Sequence, residues 1–104
     1  MTAADIGLSA EQLEQFCRRW KISRLEVFGS TAKGRLRPDS DIDLLVTFHT
    51  EAEWTMLDHY EMEEELSQML RREVDLVTVQ AVQENPNPIL RRQILDSARP
   101  LYAA

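Results

Sequence analysis

The sequence contains one cysteine, Cys17, and only three glycines among its 104 residues. A single cysteine cannot form a disulfide within the chain, and Cys17 falls among Leu13, Phe16 and Trp20 at helical spacing, so we expect a buried thiol with a structural role. No segment approaches the ~20 consecutive apolar residues that a membrane-spanning helix needs, and the N-terminus lacks a basic stretch followed by an apolar run. These absences predict a cytoplasmic protein.

Basic residues are also scarce, with 12 Lys and Arg against 18 Asp and Glu and a net charge of −6. Binding to a nucleic-acid backbone depends on clustered cations, so we expect no direct nucleic-acid binding. Lys33, Arg35 and Arg37 form a basic cluster beside Gly29-Ser30, which would bind a triphosphate, dock an acidic partner surface or keep a loop hydrated. The chain length predicts a single domain, residues 1–104.

Hydrophobic periodicity and turn residues predict an alternation of helices and strands that ends in a helix. Ser9 and Gln12 form a capping box for the first helix, and Thr50 with Glu53 forms a second such pattern before a longer helix. Asn87 and Pro88 suit the N-cap and first turn of the final helix. The predicted elements are helix 10–20, strand 24–28, a short helix 30–35, strand 41–48, a helix ending near residue 72, strand 74–79 and helix 89–97.

Two aspartates share one face of the second predicted strand, because side chains of a strand alternate between its faces. Asp41 and Asp43 would project about 6.5 Å apart, close enough to converge on one divalent cation. Asp75, the only charged residue of the third strand, can supply a further oxygen ligand. Like charges so placed are costly unless a cation neutralises them, and a hard ion such as Mg²⁺ is the natural guest.

Gly29 and Ser30 end the first predicted strand and precede these acids by a short connection. Glycine lets a phosphate approach the backbone, and the Ser30 hydroxyl and N–H can bind it. Each residue also has a plain structural interpretation, since Gly29 can simply end a strand, Ser30 can cap a helix and Asp41 can complete the Asp39-Ser40 turn. Chance occurrence of all four signature residues at this spacing is on the order of 10⁻⁵ per starting position.

The stretch VFGSTAKGRLRPDSDIDLLV, with Gly29-Ser30 ten residues before Asp41-Ile42-Asp43, resembles the signature of the DNA polymerase β-like nucleotidyltransferase superfamily. VDLVT with Asp75 and the terminal NPILRRQILDSARPLY are similar to the minimal nucleotidyltransferases. The resemblance implies an α/β (α+β) nucleotidyltransferase fold, with a small mixed sheet in α-β-α-β-α-β order, flanking helices and a C-terminal helix. It further implies that Gly29 and Ser30 contact the nucleotide phosphates and that Asp41, Asp43 and Asp75 are the catalytic, metal-holding residues.

The resemblance also implies a reaction, in which two Mg²⁺ ions assist transfer of AMP from ATP to an acceptor hydroxyl. Minimal nucleotidyltransferases of this kind often modify a tyrosine of a HEPN-domain ribonuclease toxin, as antitoxins of a type VII toxin-antitoxin system. We therefore expect a hetero-oligomer with such a toxin. Transfer to a small molecule, as in aminoglycoside nucleotidyltransferases, and a non-catalytic antitoxin acting by occlusion through exposed residues such as Trp54 or Tyr60 are the alternatives.

Overall fold

The computed structural model describes residues 2–32 and 41–103. Lys33, Arg35 and Arg37, together with the second half of the predicted short helix, lie outside the described residues. A short 3₁₀ turn, Ala3–Ile6, precedes the helices α1 (Ala10–Arg19), α2 (Gly29–Ala32), α3 (Met56–Leu70), α4 (Val79–Gln83) and α5 (Pro88–Ser97) and the strands β1 (Ile22–Val27), β2 (Ile42–Phe48), β3 (Val74–Thr78) and β4 (Arg99–Ala103).

The four strands form one mixed sheet in the order β3-β2-β1-β4. β1 pairs antiparallel with both β2 and β4, whereas β2 and β3 are parallel. The long connection through α3 accounts for the parallel pair, because parallel neighbours need a crossover rather than a tight hairpin. The predicted mixed α/β architecture is confirmed, and none of the helices within the described ranges is long and apolar enough to cross a membrane.

One face of the sheet carries the larger apolar core, and we call it the closed face. Ile42, Leu44 and Val46 of β2 point into it and are fully buried. They pack with Cys17 of α1 and Met62 of α3, within the larger of two apolar clusters. Cys17 is fully buried, as predicted, and this burial raises the pKa of its thiol to about 12.

The opposite face, which we call the open face, carries a much smaller core. Leu45 of β2 is buried there against Phe28 and Val82, and Ile94 and Ala98 of the α5 segment pack on the same group. α4 and α5 both lie on this side, but no residue of α5 is fully buried. The open face is therefore only partly covered by its helices.

One prediction about local structure is wrong, and two elements, α4 and β4, have no predicted counterpart. The long helix begins at Met56 with Thr55 as its N-cap, not after Thr50, because the Thr55 side chain accepts from the Asp58 N–H while Asp58 accepts from the Thr55 N–H. The C-terminal segment also adds a fourth strand, β4, beside β1. Pro100 is tolerated there because β4 lies at the edge of the sheet.

Candidate active site

Asp43 and Asp75 are direct neighbours on the open face. The parallel register of β2 and β3 pairs their Cα atoms, so the two side chains leave the same side of the sheet. Asp41 lies immediately before β2, where it is exposed, and shares the parity of Asp43. The structure thus brings the three predicted carboxylates to one end of the β2–β3 pair, at the N-terminal ends of both strands.

The three acids affect one another electrostatically. The pKa of Asp43 is raised above its ordinary value of 3.8, first by partial burial and then by the negative charges of Asp75 and Asp41. In the described part of the chain, none of the three forms an ion pair with a Lys, Arg or His side chain. Among the described residues, the three carboxylates therefore concentrate negative charge that no paired basic side chain offsets, and a bound cation would stabilise them.

Gly29 lies against this group with a left-handed backbone conformation, φ +61°. A Cβ atom added to Gly29 would be 3.1 Å from Asp43 Oδ2, closer than ordinary van der Waals contact. Glycine is required here both for the positive φ and for the close approach to the carboxylate. The main chain of Ser30 follows within α2, so the predicted glycine-serine loop borders the acids, as its spacing suggested.

Two hydroxyl groups that the sequence did not single out hold this loop in place. Thr31 is buried, and its Oγ1 accepts a hydrogen bond from the Asp43 N–H at 3.1 Å. Ser97, in the last turn of α5, accepts from the Gly29 N–H at 3.2 Å and donates to the Ile94 carbonyl at 3.0 Å. Only Thr31 had a sequence signal, its place directly after Gly29-Ser30.

Beside Asp75, two side chains of α3 bind the main chain of the edge strand β3. Glu63 Oε2 accepts from the Leu76 N–H at 2.8 Å, and His59 Nε2 lies 2.6 Å from the Leu76 carbonyl oxygen. Because a carbonyl can only accept, His59 must carry its proton on Nε2. We call this pair the Leu76 clamp; it fixes the residue that follows Asp75.

The chemistry of the donor set suits Mg²⁺, which prefers carboxylate oxygens and keeps several of its positions for water and phosphate. Partial burial, and then the negative charges of Asp75 and Asp41, raise the pKa of Asp43, and a bound ion would offset the part that comes from these charges. Within residues 2–32 and 41–103, no three acidic, His or Cys side chains already converge as a finished metal-binding group. The side chains would therefore have to turn toward a common ion on binding.

Comparison with known proteins assigns this arrangement to a family. The sequence matches the family described as nucleotidyltransferase domain over residues 9–101. It is 32% identical over 77 residues to the protein adenylyltransferase MntA of Thermococcus cleftensis, covering 74% of this chain and 76% of that protein.

Solved structures show the same fold. One, assigned as a minimal nucleotidyltransferase, superposes with a TM-score of 0.72 at 37% identity and covers 97% of both chains. A second is the complex of a tri-AMPylated Shewanella oneidensis HEPN toxin with its MNT antitoxin, with a TM-score of 0.62 at 20% identity, covering 90% of this chain and 69% of the other. At that identity the second likeness concerns the fold alone.

Proposed function

Since the chain belongs to the nucleotidyltransferase family, we propose that it transfers AMP from ATP to a hydroxyl of a partner protein, a tyrosine of a HEPN ribonuclease toxin. The observation that carries this proposal is the pairing of Asp43 with Asp75 on an open sheet face beside Gly29. The proposal treats residues 1–104 as one minimal nucleotidyltransferase domain that acts in the cytoplasm as an antitoxin.

In this reaction the acceptor oxygen attacks the α-phosphorus of ATP. A new bond forms between the acceptor oxygen and the α-phosphorus, while the bond from the α-phosphorus to the oxygen that bridges to the β-phosphate breaks. Pyrophosphate leaves, and the acceptor proton passes to a base. Asp75 is exposed on the open face and is suited to take that proton. Gly29 leaves room for the phosphates next to Asp43, and Ser30 is the second phosphate-binding residue in this proposal.

Asp41, Asp43 and Asp75 would hold two Mg²⁺ ions, which supply stabilisation of the negative charge that develops on the transferred phosphoryl group. The repulsion among the three carboxylates supports this role, because bound cations would reduce it. Thr31 and the Leu76 clamp orient the strand backbones that carry Asp43 and Asp75.

The choice of a protein acceptor is supported by the MntA relative, named a protein adenylyltransferase, and by the solved complex of an AMPylated HEPN toxin with its antitoxin. An AMP group on a tyrosine near a ribonuclease site would block it and place negative charge where RNA phosphates bind. A protein encoded beside this chain and carrying an Arg-x4-6-His ribonuclease motif is the acceptor to try first.

The test incubates the purified chain, Mg²⁺ and α-labelled ATP with that neighbouring protein. We expect the wild type to label the acceptor on tyrosine and Asp41→Ala/Asp43→Ala to leave it unlabelled, because the double variant removes two of the three carboxylates. Equal labelling by both proteins would end the catalytic interpretation.

Protection against the ribonuclease separates modification from occlusion. An antitoxin that acts by modification loses protection in the Asp41→Ala/Asp43→Ala variant, whereas one that acts by binding alone keeps it at equal concentration. Of the two residues considered for an occluding contact, Tyr60 is exposed, but Trp54 is half-buried, with its indole N–H bonded to the Trp20 carbonyl at 2.9 Å. The structure therefore weakens the case for Trp54.

A further inference from the structure

The exposed apolar side chains of the described residues fall into two groups. One is on the first two turns of α3, where Met56 is 91% and Leu57 is 66% exposed. The other is on α5, where Ile89 is 69% and Leu95 is 44% exposed. Neighbouring exposed apolar side chains are typical of surfaces that bind another molecule, and the two groups differ in their relation to the active site.

The α5 group forms a ridge that we call the α5 ridge: Ile89, Arg92 and Leu95. Residues three apart are neighbours on a helix surface, so these side chains follow one another along the solvent side of α5. Arg92 is exposed between the two apolar residues. The complementary surface is therefore apolar with an acidic side chain at its centre.

The α5 ridge lies on the catalytic side of the molecule. α5 packs on the open face, where Asp43 and Asp75 project, and its last turn touches the active-site loop through the hydrogen bond between Ser97 and the Gly29 N–H. An open groove of about 1400 Å³ runs along α5 as far as Phe28, Gly29 and Ala32. The near end of the ridge is Leu95, two residues before Ser97. At a rise of ~1.5 Å per residue, its far end, Ile89, lies about 12 Å from Ser97 along the helix axis.

The α3 group lies on the other side of the sheet. α3 packs on the closed face through Met62, Leu66 and Leu70. Its first turn is near the C-terminal end of β3, because His59 is level with Leu76 and the earlier residues lie beyond it. A protein that presents a hydroxyl to Asp43 and Asp75 must approach the open face, so it meets α5 and not the start of α3.

We propose that the α5 ridge is the docking surface for the acceptor protein, which carries a complementary apolar surface with a central acidic residue. This inference rests on the proposed function, since it assumes a protein acceptor. The ridge holds the acceptor beside the groove that leads to Gly29, and the Ser97–Gly29 hydrogen bond joins the docking helix directly to the active-site loop.

The test compares Ile89→Ser/Leu95→Ser with the matched control Met56→Ser/Leu57→Ser. Both variants remove two exposed apolar side chains from a helix and should keep the wild-type melting temperature. Calorimetry measures binding of the protein encoded beside this chain, the acceptor to try first. Labelled-AMP transfer gives KM and kcat for the same protein. The α5 variant should weaken acceptor binding and raise KM for the acceptor about tenfold, as expected when central interface side chains are truncated.

The control should bind within about twofold of the wild type, because its side chains lie outside the contact. Arg92→Glu should weaken binding in the same direction as the α5 variant, and Arg92→Lys should restore most of it. Unchanged binding by Ile89→Ser/Leu95→Ser, or equal weakening by the control, overturns the proposal.

Failure of the proposed function gives a different result. If the wild type binds the neighbouring protein but transfers no label, the adenylylation proposal fails, and the binding constants of the two variants still decide the docking surface. If the wild type does not bind that protein at all, both proposals are overturned for this acceptor.

Discussion

The two faces of the sheet are built from the same strands but have opposite character. On β2, Leu44 points into the closed face and is completely buried, while its neighbour Asp43 points out of the open face among other negative charges. The closed face is covered by α1 and α3, and the open face only in part by α4 and α5.

This difference separates stability from function along a single strand. Burial of apolar surface on the closed face is the main favourable contribution to folding. The charge cluster on the open face disfavours the ionised form of Asp43 and should oppose folding until a cation binds. Of two adjacent positions on β2, a substitution on the open face should therefore lower activity, and one on the closed face should lower stability. Four experiments test this difference.

The largest expected effect is on activity, in Asp43→Asn. The change removes a charge that we propose holds Mg²⁺. We expect labelled-AMP transfer to fall by on the order of 10² or more, because charge stabilisation by a bound metal contributes several kcal/mol and ~1.4 kcal/mol is tenfold in rate. Transfer at the wild-type rate would show that the open face does not carry the chemistry.

Leu44→Ala tests the adjacent position on the closed face. Removal of a fully buried leucine should lower the free energy of unfolding by about 2–5 kcal/mol, because it leaves a cavity in the larger cluster. Urea unfolding followed by circular dichroism measures this. At a temperature where the variant stays folded, its AMP transfer should be close to wild type; a loss as large as that of Asp43→Asn would contradict the division between the faces.

Gly29→Ala should affect both properties, with Gly7→Ala as its control. Both glycines have positive φ, so each alanine should cost about 1–2 kcal/mol in the free energy of unfolding. A Cβ at position 29 meets Asp43 Oδ2 at 3.1 Å, whereas one at position 7 meets nothing within 4 Å. AMP transfer should therefore fall only in Gly29→Ala, and an equal loss in Gly7→Ala would point to stability alone.

The smallest expected effect is the pH dependence of folding stability that Asp43 contributes. Its pKa is raised by burial and by Asp75 and Asp41, so the folded state binds this proton more tightly than the unfolded state. The contribution to stability is complete below pH 3.8 and is lost as pH rises through the raised pKa. In the presence of a chelator, Asp43→Asn should therefore melt above the wild type at about pH 7, and the two should converge near about pH 4.

Mg²⁺ supplies the control for that measurement. Added Mg²⁺ should raise the melting temperature of the wild type more than that of Asp43→Asn, because an ion that binds the native state stabilises it. If Asp43→Asn melts below the wild type at neutral pH without metal, the carboxylates do not oppose folding.

The shared face of Asp41 and Asp43 could be predicted from the sequence, because it depends on a local rule. Side chains along a strand alternate between its two faces, so Asp41 and Asp43 share one side whatever the position of the strand in the sheet. The exact pairing of Asp43 with Asp75 depends on the β2–β3 register, which no local pattern defines. The hydrogen bond between Ser97 and Gly29 is still harder to predict, because the two residues are 68 positions apart in the chain.

The errors in secondary structure have a similar origin. Thr50 and Thr55 are each followed three residues later by an acid, so both satisfy the capping pattern. The choice is made by tertiary contacts: Trp54 packs edge-on against Trp20 at 5.2 Å and donates a hydrogen bond to its carbonyl, and the chain is not helical immediately before Thr55. β4 was missed because Pro100 argues against a strand, and its partner β1 is far away in sequence.

The Leu76 clamp has a consequence for self-association. β3 is an edge strand, and an edge normally presents free main-chain groups to which a strand of another molecule can add. At Leu76 both of these groups are already bonded, to Glu63 and His59 of the same chain. A second sheet could extend past this point only by displacing both side chains, so the clamp protects the β3 edge against intermolecular sheet growth.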